Sequence, residues 1–264
     1  MRAGAPLELI KVPIAKDSFR RIPKDEQVLF VSLGHLANEL NVLGKLMGWC
    51  HNAPRASQAE ADAHLMHTVF LAKLLAGKLN EGWEAFRRGF FGAGLSKEYH
   101  PLLAEPHGSD LDRLKRYFDR RDNAVRVVRD LTFHSSLDQI ASCLEQSLSF
   151  QDELMIFLGC EYANSFYAAC EVASNFAMLQ AIAADDPERA IRTFLEELRD
   201  TTRLFLSVIA GWMWVFISRH LGTDLDALKA GTERINLNGL ADRRRFAIPY
   251  FVTVDDGVTQ AVLP

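Results

Sequence analysis

The chain has 264 residues, of which 48% are hydrophobic and 24% are charged, and its formal net charge is −4 at pH 7. This balance is that of an ordinary globular protein and excludes a disordered or fibrous chain. The length is near the upper limit of what one hydrophobic core serves. Because the chain is no polycation, contact with a nucleic acid requires a local basic patch.

Residues 1–24 predict an extended arm. They contain three prolines and the alternating stretch LELIKVPI at residues 7–14, which is compatible with one short strand. Residues 1–23 contain no apolar stretch of the secretory type, so we expect a cytoplasmic location.

A helical bundle is predicted for residues 25–222. Asp25 and Glu26 indicate a helix start, and apolar residues then recur at three- and four-residue steps as far as Pro54. A second long helix is predicted from Ser57 to Phe90, where a cluster of glycines ends it.

Shorter helices are predicted in the middle of the chain. Ser109 precedes two nearby aspartates and predicts the N-cap of a helix that runs through Phe118. Residues 120–136 fit either one helix with a break or two short helices. Asp138 then predicts the cap of a helix that extends to Leu148.

Two further long helices are predicted at residues 152–184 and 187–221. Glycine is almost absent from both segments. Pro187 lies in the first turn of the second helix, where its missing N–H costs nothing, and Gly222 is a natural end of that helix.

The uncharged run at residues 204–218 raises the question of a membrane segment. It is shorter than the roughly 20 apolar residues that a spanning helix needs. Trp212 and Trp214 lie inside the run, whereas interfacial tryptophans lie at the ends. We therefore expect a fully buried central helix and no membrane association.

The last part of the chain, residues 223–264, is more polar and ends in the β-like stretch AIPYFVTV at residues 247–254. We expect it to pack on the bundle as a tail, with a strand that pairs with the N-terminal arm. The predicted fold class is therefore all-α: a bundle of about four long helices plus shorter helices, with an extended arm at 1–24 and a tail at 223–264.

Common cofactor and catalytic motifs are absent. The sequence contains no glycine-rich nucleotide loop, no GxSxG, no HExxH and no repeated Glu-x-x-His of the di-iron type, so we expect no cofactor. The four cysteines lie far apart and predict small hydrophobic side chains in a reducing compartment. They are Cys50, Cys143, Cys160 and Cys170.

One helical face offers a candidate metal site. Glu60, His64 and His67 follow one another at helical spacing and could supply a carboxylate and two imidazoles. Exposed helix faces often carry such residues, and a structural or surface role is the favoured interpretation.

A basic cluster occupies residues 113–129. Its members are Arg113, Lys115, Arg116, Arg120, Arg121, Arg126 and Arg129, and aspartates are interleaved with them. The cluster fits an exposed helix with many salt bridges, and it also fits contact with a phosphate backbone. In the second case Arg121 and Arg126 are the candidate substrate-binding residues.

The segment RDLTFH, from Arg129 to His134, combines two groups suited to phosphodiester chemistry. A guanidinium binds phosphate oxygens in a bidentate manner. An imidazole titrates near neutrality and can move a proton to or from a ribose hydroxyl. Five residues rotate an ideal helix by about 140°, so a shared site requires a break near Thr132 and Phe133, a partner subunit, or both.

This segment resembles the Rx4–6H motif of the HEPN superfamily, whose members are helical bundles of toxin–antitoxin, abortive-infection and CRISPR-associated systems. The resemblance implies a metal-independent endoribonuclease that acts as a homodimer. It also implies that Arg129 binds the scissile phosphate, that His134 transfers the proton and that Asp130 orients them. The family most often has asparagine after the arginine, whereas this chain has Asp130.

Three functional hypotheses follow. The first is a ribonuclease with RNA as substrate, a homodimeric state and a possible cognate antitoxin as partner. The second is a non-catalytic module that binds RNA or protein, with Arg129 and Asp130 in a buried ion pair. The third is a metal-binding helical bundle.

Overall fold

The structure is a computed structural model that describes a large part of the chain. The described residues are 7–53, 55–133, 137–149, 153–184, 186–222, 234–237 and 246–252. Most of them lie in α-helices, so the predicted all-α helical bundle is confirmed.

The elements follow in chain order. The helices are α1 (Lys16–Arg20), α2 (Lys24–His51), α3 (Gln58–Phe86), α4 (Ser96–Tyr99), α5 (His107–Asp119), α6 (Ala124–Phe133), α7 (Leu137–Leu148), α8 (Ala168–Ile182) and α9 (Pro187–Leu221). The strands are β1 (Leu7–Ile10) and β2 (Arg234–Leu237). A π-helical turn, Arg87–Gly92, follows α3 directly.

The chain divides into two compact units, each built from three separate segments. Unit 1 consists of Met1–Asn41, Lys78–Arg120 and Asp200–Asp242, and unit 2 of Val42–Gly77, Arg121–Arg199 and Arg243–Pro264. The long helices α2, α3 and α9 each begin in one unit and continue in the other.

Unit 1 has a core of large aromatic and aliphatic side chains. Phe118 of α5 stacks on Trp83 of α3 with ring centroids 4.9 Å apart, and such aromatic pairs add to the gain from burial alone. The fully buried members include Leu29, Leu33, Leu79, Phe86, Phe90, Phe205, Trp212 and Phe216.

A two-stranded sheet also belongs to unit 1. β1 pairs antiparallel with β2, with Leu7 opposite Leu237 and Ile10 opposite Arg234. The N-terminal arm therefore pairs with a C-terminal strand, as predicted. The strand is not the predicted AIPYFVTV stretch, because its described part, residues 247–252, contains no strand.

Unit 2 is built around α8, which packs against both α6 and α7. Its core contains Val69, Ala72, Leu75, Val125, Val128, Phe166, Phe176, Ala190 and Phe194. The predicted helix at residues 152–184 is wrong in its first half: α8 begins at Ala168. The described residues before it are not α-helical: Phe157 and Phe166 form an antiparallel bridge, and Tyr162–Asn164 form a 3₁₀ turn between them.

Two helix boundaries also differ from the predictions. The second long helix ends as an α-helix at Phe86, and the π-helical turn takes the chain on through Phe90. The fifth helix begins at His107, and Ser109 is no N-cap, because its hydroxyl donates to the carbonyl of Pro106 and the carboxylate of Glu105.

Both ends of α9 are where the sequence predicts them. Asp186 accepts a hydrogen bond from the backbone N–H of Arg189 at 2.9 Å, so it caps the helix just before Pro187. Gly222 adopts φ +63°, a left-handed conformation that glycine tolerates at a helix C-terminus.

The uncharged part of α9 is more exposed than predicted. Phe205, Trp212 and Phe216 are buried, but Ala210 and Ser218 are exposed, so the helix is not buried all round. Within the described residues, α9 alone is long and apolar enough to cross a membrane. Its most apolar window has a mean hydropathy of 1.5 and is 39% buried. Core helices of soluble proteins meet the same criteria, so one such helix is weak evidence for a membrane segment.

Candidate functional site

The arginine of the predicted catalytic motif lies on α6, whose N-terminus is fixed by two side chains of unit 2. The Asn123 side-chain oxygen accepts a hydrogen bond from the backbone N–H of Arg126 at 2.9 Å. The Glu197 carboxylate accepts one from the backbone N–H of Ala124, also at 2.9 Å. Since the first N–H groups of a helix have no partner within the helix, these bonds determine where α6 begins.

The buried face of α6 leaves its arginines at or near the surface. Val125 and Val128 are fully buried. Arg129 and Asp130 are exposed, and Arg126, one turn before, is half-buried. Successive side chains of a helix point about 100° apart around its axis. Because Val125 and Val128 face the core, Arg129 points outward.

Arg129 and Asp130 form an ion pair. A guanidinium N–H of Arg129 donates to the Asp130 carboxylate at 2.8 Å, and the two side chains are 47% and 51% exposed. The non-catalytic hypothesis predicted a buried ion pair between these residues. The pair forms, but the prediction that it is buried is wrong. An exposed pair of this kind contributes little to stability, because water and salt screen it.

Of the remaining site residues, the structure describes Arg121 but not His134. Arg121 is exposed just before α6, in the same unit as Arg129. The α6 helix ends at Phe133 and α7 begins at Leu137. His134 lies between them, outside the described residues, so its approach to Arg129 stays a prediction.

The surface of α6 has the chemical means to bind a phosphate. A guanidinium has five N–H donors in a planar fork, and the hydrogen bond to Asp130 uses one of them. A phosphate oxygen pair can bind the other edge or displace the carboxylate. Asp130 is therefore the residue with which a phosphate would compete for Arg129.

Comparison with known proteins assigns no family. No protein-family model, curated protein or solved structure matches this chain. The HEPN resemblance therefore depends on residues 129–134 and on the helical layout.

The candidate metal site on α3 does not assemble. Within the described ranges, no group of three or more His, Cys, Asp and Glu side chains is arranged to hold a metal ion. Glu60 instead caps α3: its carboxylate accepts from the Ser57 backbone N–H at 2.8 Å, and the Ser57 hydroxyl accepts from the Glu60 N–H at 3.2 Å. This capping box gives the Glu60 carboxylate a structural role at the start of α3. His64 is buried.

His67 instead contacts a cysteine, a pairing that the sequence analysis missed. The thiol of Cys50 lies 3.5 Å from Nδ1 of His67. Burial raises the pKa of the Cys50 thiol. Burial also lowers the pKa of His67, and the charge of His64 lowers the pKa of His67 further. Both shifts favour a neutral thiol and a neutral imidazole, whereas a catalytic cysteine needs the thiolate. The pair therefore belongs to the packing of unit 2.

The lowered pKa of His67 predicts a loss of stability in acid. The folded state disfavours the protonated imidazole. The contribution of neutral His67 to the stability of the folded state is therefore present above the ordinary pKa of 6.5, and it is lost as the pH falls below that value. We expect His67→Gln to lose less stability than the wild type between pH 7.5 and pH 5.5 in urea unfolding. The matched control is His35→Gln, because His35 is exposed. Equal losses in the wild type and His67→Gln would contradict the prediction.

The other residues missed from the sequence form a buried polar cluster in unit 1. The hydroxyl of Tyr99 donates to Oε2 of Glu26, and Nε2 of His220 donates to the same oxygen at 2.6 Å. Arg219 lies over the Tyr99 ring and bonds to Glu98 at 2.6 Å. Burial and then the hydrogen bond to Glu26 raise the pKa of Tyr99, so its hydroxyl keeps its proton.

This cluster joins three helix ends of unit 1. Glu26 lies in the first turn of α2, Tyr99 ends α4 and His220 lies in the last turn of α9. A carboxylate near a helix N-terminus and an imidazole near a helix C-terminus both suit the helix dipoles. Because Glu26 and Tyr99 are almost inaccessible, the cluster holds the helices together and offers no open site to a substrate.

Proposed function

We propose that the protein is a metal-independent endoribonuclease in which Arg129 binds the scissile phosphate and His134 transfers the proton. The observation that supports this proposal is the position of Arg129, which projects from the surface of α6 four residues before the helix ends. The HEPN resemblance supplies the reaction and the role of His134, and RNA is the expected substrate. Homodimers and a cognate antitoxin are the expected partners.

The neighbouring 2′-hydroxyl of RNA is the nucleophile in this scheme. The imidazole takes its proton and the oxygen attacks the phosphorus atom, which forms a 2′,3′-cyclic phosphate. The bond to the 5′-oxygen of the next nucleotide breaks, and that oxygen takes up a proton from water. The guanidinium stabilises the charge that grows on the phosphate oxygens. Arg121 and Arg126 contribute positive charge before and within α6, where the RNA backbone would follow the helix.

Asp130 has a regulating role in this proposal. Its carboxylate holds Arg129 at 2.8 Å and adds negative charge beside the phosphate position, so it lowers the affinity for RNA. Arg129 is therefore less able to bind a phosphate in the free protein, and it becomes fully able to do so when the substrate displaces the Asp130 carboxylate.

Replacing Asp130 by asparagine tests the proposal. We expect Asp130→Asn to bind single-stranded RNA about fivefold more tightly, because a charge of the same sign as the phosphate disappears, and to cleave it faster. Binding is measured by fluorescence anisotropy and cleavage on labelled RNA in EDTA. Asp17→Asn is the matched control, since Asp17 also forms an exposed pair with an arginine, Arg20.

The possible outcomes separate the hypotheses. Cleavage in EDTA that increases in Asp130→Asn and not in Asp17→Asn supports the ribonuclease. If neither the wild type nor Asp130→Asn cleaves RNA, the proposal is wrong.

A second candidate function is a non-catalytic module that binds RNA or protein. The ion pair favours it, because Arg129 already has an anionic partner in the chain. Tight RNA binding without turnover, unchanged by His134→Ala, would select this candidate.

A further inference from the structure

Residues 246–252 of unit 2, FAIPYFV, form a segment that is neither helix nor strand and that packs on other elements of the same unit. At one end of this segment, the strap, Phe246 packs on Trp49 in the last turn of α2, with ring centroids 4.7 Å apart. At the other end, the ring of Tyr250 meets the ring of Phe166 edge-on, with centroids 5.4 Å apart. Aromatic side chains therefore anchor the strap at both ends.

Side-chain amides of unit 2 hold the backbone of the strap. Asn164 bonds twice to Val252: its Nδ2 donates to the Val252 carbonyl at 2.6 Å, and its Oδ1 accepts from the Val252 N–H at 2.9 Å. Nδ2 of Asn52 donates to the carbonyl of Phe246 at 3.2 Å. In peptide recognition, bonds to the main chain give affinity and pockets for side chains give specificity. The strap is therefore held in the way that a protein holds a peptide ligand.

The strap is separable from the helices of unit 2. Phe246, Pro249 and Val252 are exposed, so the strap is only partly buried. Its amide partners Asn52 and Asn164 lie 194 and 88 residues away along the chain. The packing of α8 on α6 and α7 is formed by the helices themselves. Displacement of the strap would therefore leave that packing in place.

We propose that the surface under the strap is a peptide-recognition site, and that a partner protein whose segment has the pattern Phe-x-x-x-Tyr-Phe displaces the strap from it. The strap itself identifies the chemistry of this occupant, because it shows which side chains the surface accepts and how the surface bonds to a backbone. The strap then acts as a competitor that the partner segment must replace. This inference goes beyond RNA cleavage and applies whether or not the chain is a nuclease.

The site selects against a negative charge at the tyrosine position. The hydroxyl of Tyr250 donates to the carbonyl of Ser165 at 3.3 Å. Burial raises the pKa of Tyr250, and the charge of Glu171 raises it further. Nδ2 of Asn175, which is buried, donates to the Glu171 carboxylate at 3.2 Å and so holds this charge in place. A neutral tyrosine is therefore accepted, whereas a phosphotyrosine, with a charge of about −1.5 to −2 at pH 7, is repelled.

Binding of a labelled synthetic peptide, FAIPYFV, to the full chain tests the proposal. Fluorescence anisotropy compares the wild type with Phe246→Ala/Tyr250→Ala, whose own strap has lost both aromatic anchors. An occupied site lowers the apparent affinity by the fraction of chains in which the site is free, so the double variant should bind the peptide at least about tenfold more tightly. The matched control is Phe70→Ala/Tyr167→Ala, since these side chains of the same unit are 56% and 52% exposed. It should bind as weakly as the wild type.

A milder variant keeps the test decisive if circular dichroism shows that the double variant does not fold. Val252→Pro removes the N–H that donates to Asn164 and leaves both aromatic anchors in place. Val252 is 43% exposed, so the helices keep their packing. Peptide binding should tighten by about fivefold, which corresponds to the usual net contribution of one hydrogen bond.

Two further measurements test how the peptide is recognised. When Asn164→Ala is added to a strap variant, peptide binding should weaken by at least about tenfold, because two bonds to the peptide backbone are lost. The peptide with a phosphorylated tyrosine, and a peptide of the same residues in scrambled order, should also bind at least about tenfold more weakly.

Two results would overturn the proposal. The first is equal affinity of the wild type and the folded strap variants for the peptide, or equal binding of the scrambled peptide. The second is a wild type that sediments as a dimer and becomes monomeric in Phe246→Ala/Tyr250→Ala, because the strap would then occupy the site of a second copy of the chain.

Discussion

Replacing His134 by alanine is expected to lower the rate of RNA cleavage by at least about 100-fold, because general acid–base catalysis by a positioned side chain contributes roughly 10²–10⁴-fold. The measurement is single-turnover cleavage of labelled RNA in EDTA, with protein concentration above the binding constant. RNA binding should change little, since the imidazole moves a proton and Arg129 holds the phosphate.

Two variants make this test specific. His35→Ala removes an exposed histidine that lies 3.6 Å from Glu39, and it should leave the cleavage rate unchanged. Arg129→Lys keeps the charge but loses the planar fork, so it should weaken RNA binding as well as cleavage. If His134→Ala cleaves as fast as the wild type, His134 has no place in the mechanism.

The long helices could be predicted because their signals are local. The apolar stripes of α2 and α3 repeat at helical spacing over many turns. The ends of α9 could be predicted from Pro187 and Gly222, two residues with strong positional preferences.

The non-helical segment at residues 153–159 could not be predicted in the same way. LMIFL is an uninterrupted apolar run, and such a run has no periodicity that separates a buried helix from a strand. The backbone is extended because Phe157 pairs with Phe166, whose ring stacks parallel to its own at 6.1 Å. Gly159 also approaches Asn164 so closely that a Cβ would come within 2.8 Å of it. Both contacts exist only after the chain has turned back.

The candidate site was predictable only in part. The sequence left residues 120–136 as either one helix with a break or two short helices, and the structure shows one helix that begins at Ala124 and ends at Phe133. Whether the Arg129–Asp130 pair is buried depends on the packing of Val125 and Val128, which no local pattern reveals. The cluster around Glu26 was missed because its partner His220 is 194 residues away.

Glu26→Ala is expected to cause the largest loss of stability of any single change in this cluster. Glu26 is 3% exposed and its Oε2 accepts from both the Tyr99 hydroxyl and Nε2 of His220. Removing the carboxylate leaves two inward-facing donors without their acceptor, and each such loss costs about 1–3 kcal/mol. We therefore expect the free energy of unfolding to fall by about 3 kcal/mol, a large fraction of the roughly 5–15 kcal/mol of a typical protein.

Urea unfolding and calorimetry measure this loss, and Glu98→Ala is the control. Glu98 is a glutamate of the same unit that binds Arg219, the neighbour of His220, but its side chain is 54% exposed. Water replaces an exposed carboxylate, so Glu98→Ala should cost no more than about 1 kcal/mol. Tyr99→Phe should fall between the two variants, because it removes one donor and leaves the bond from His220 in place. Similar losses for Glu26→Ala and Glu98→Ala would mean that Glu26 is as well solvated as Glu98 and that the cluster does not hold the helix ends of unit 1 together.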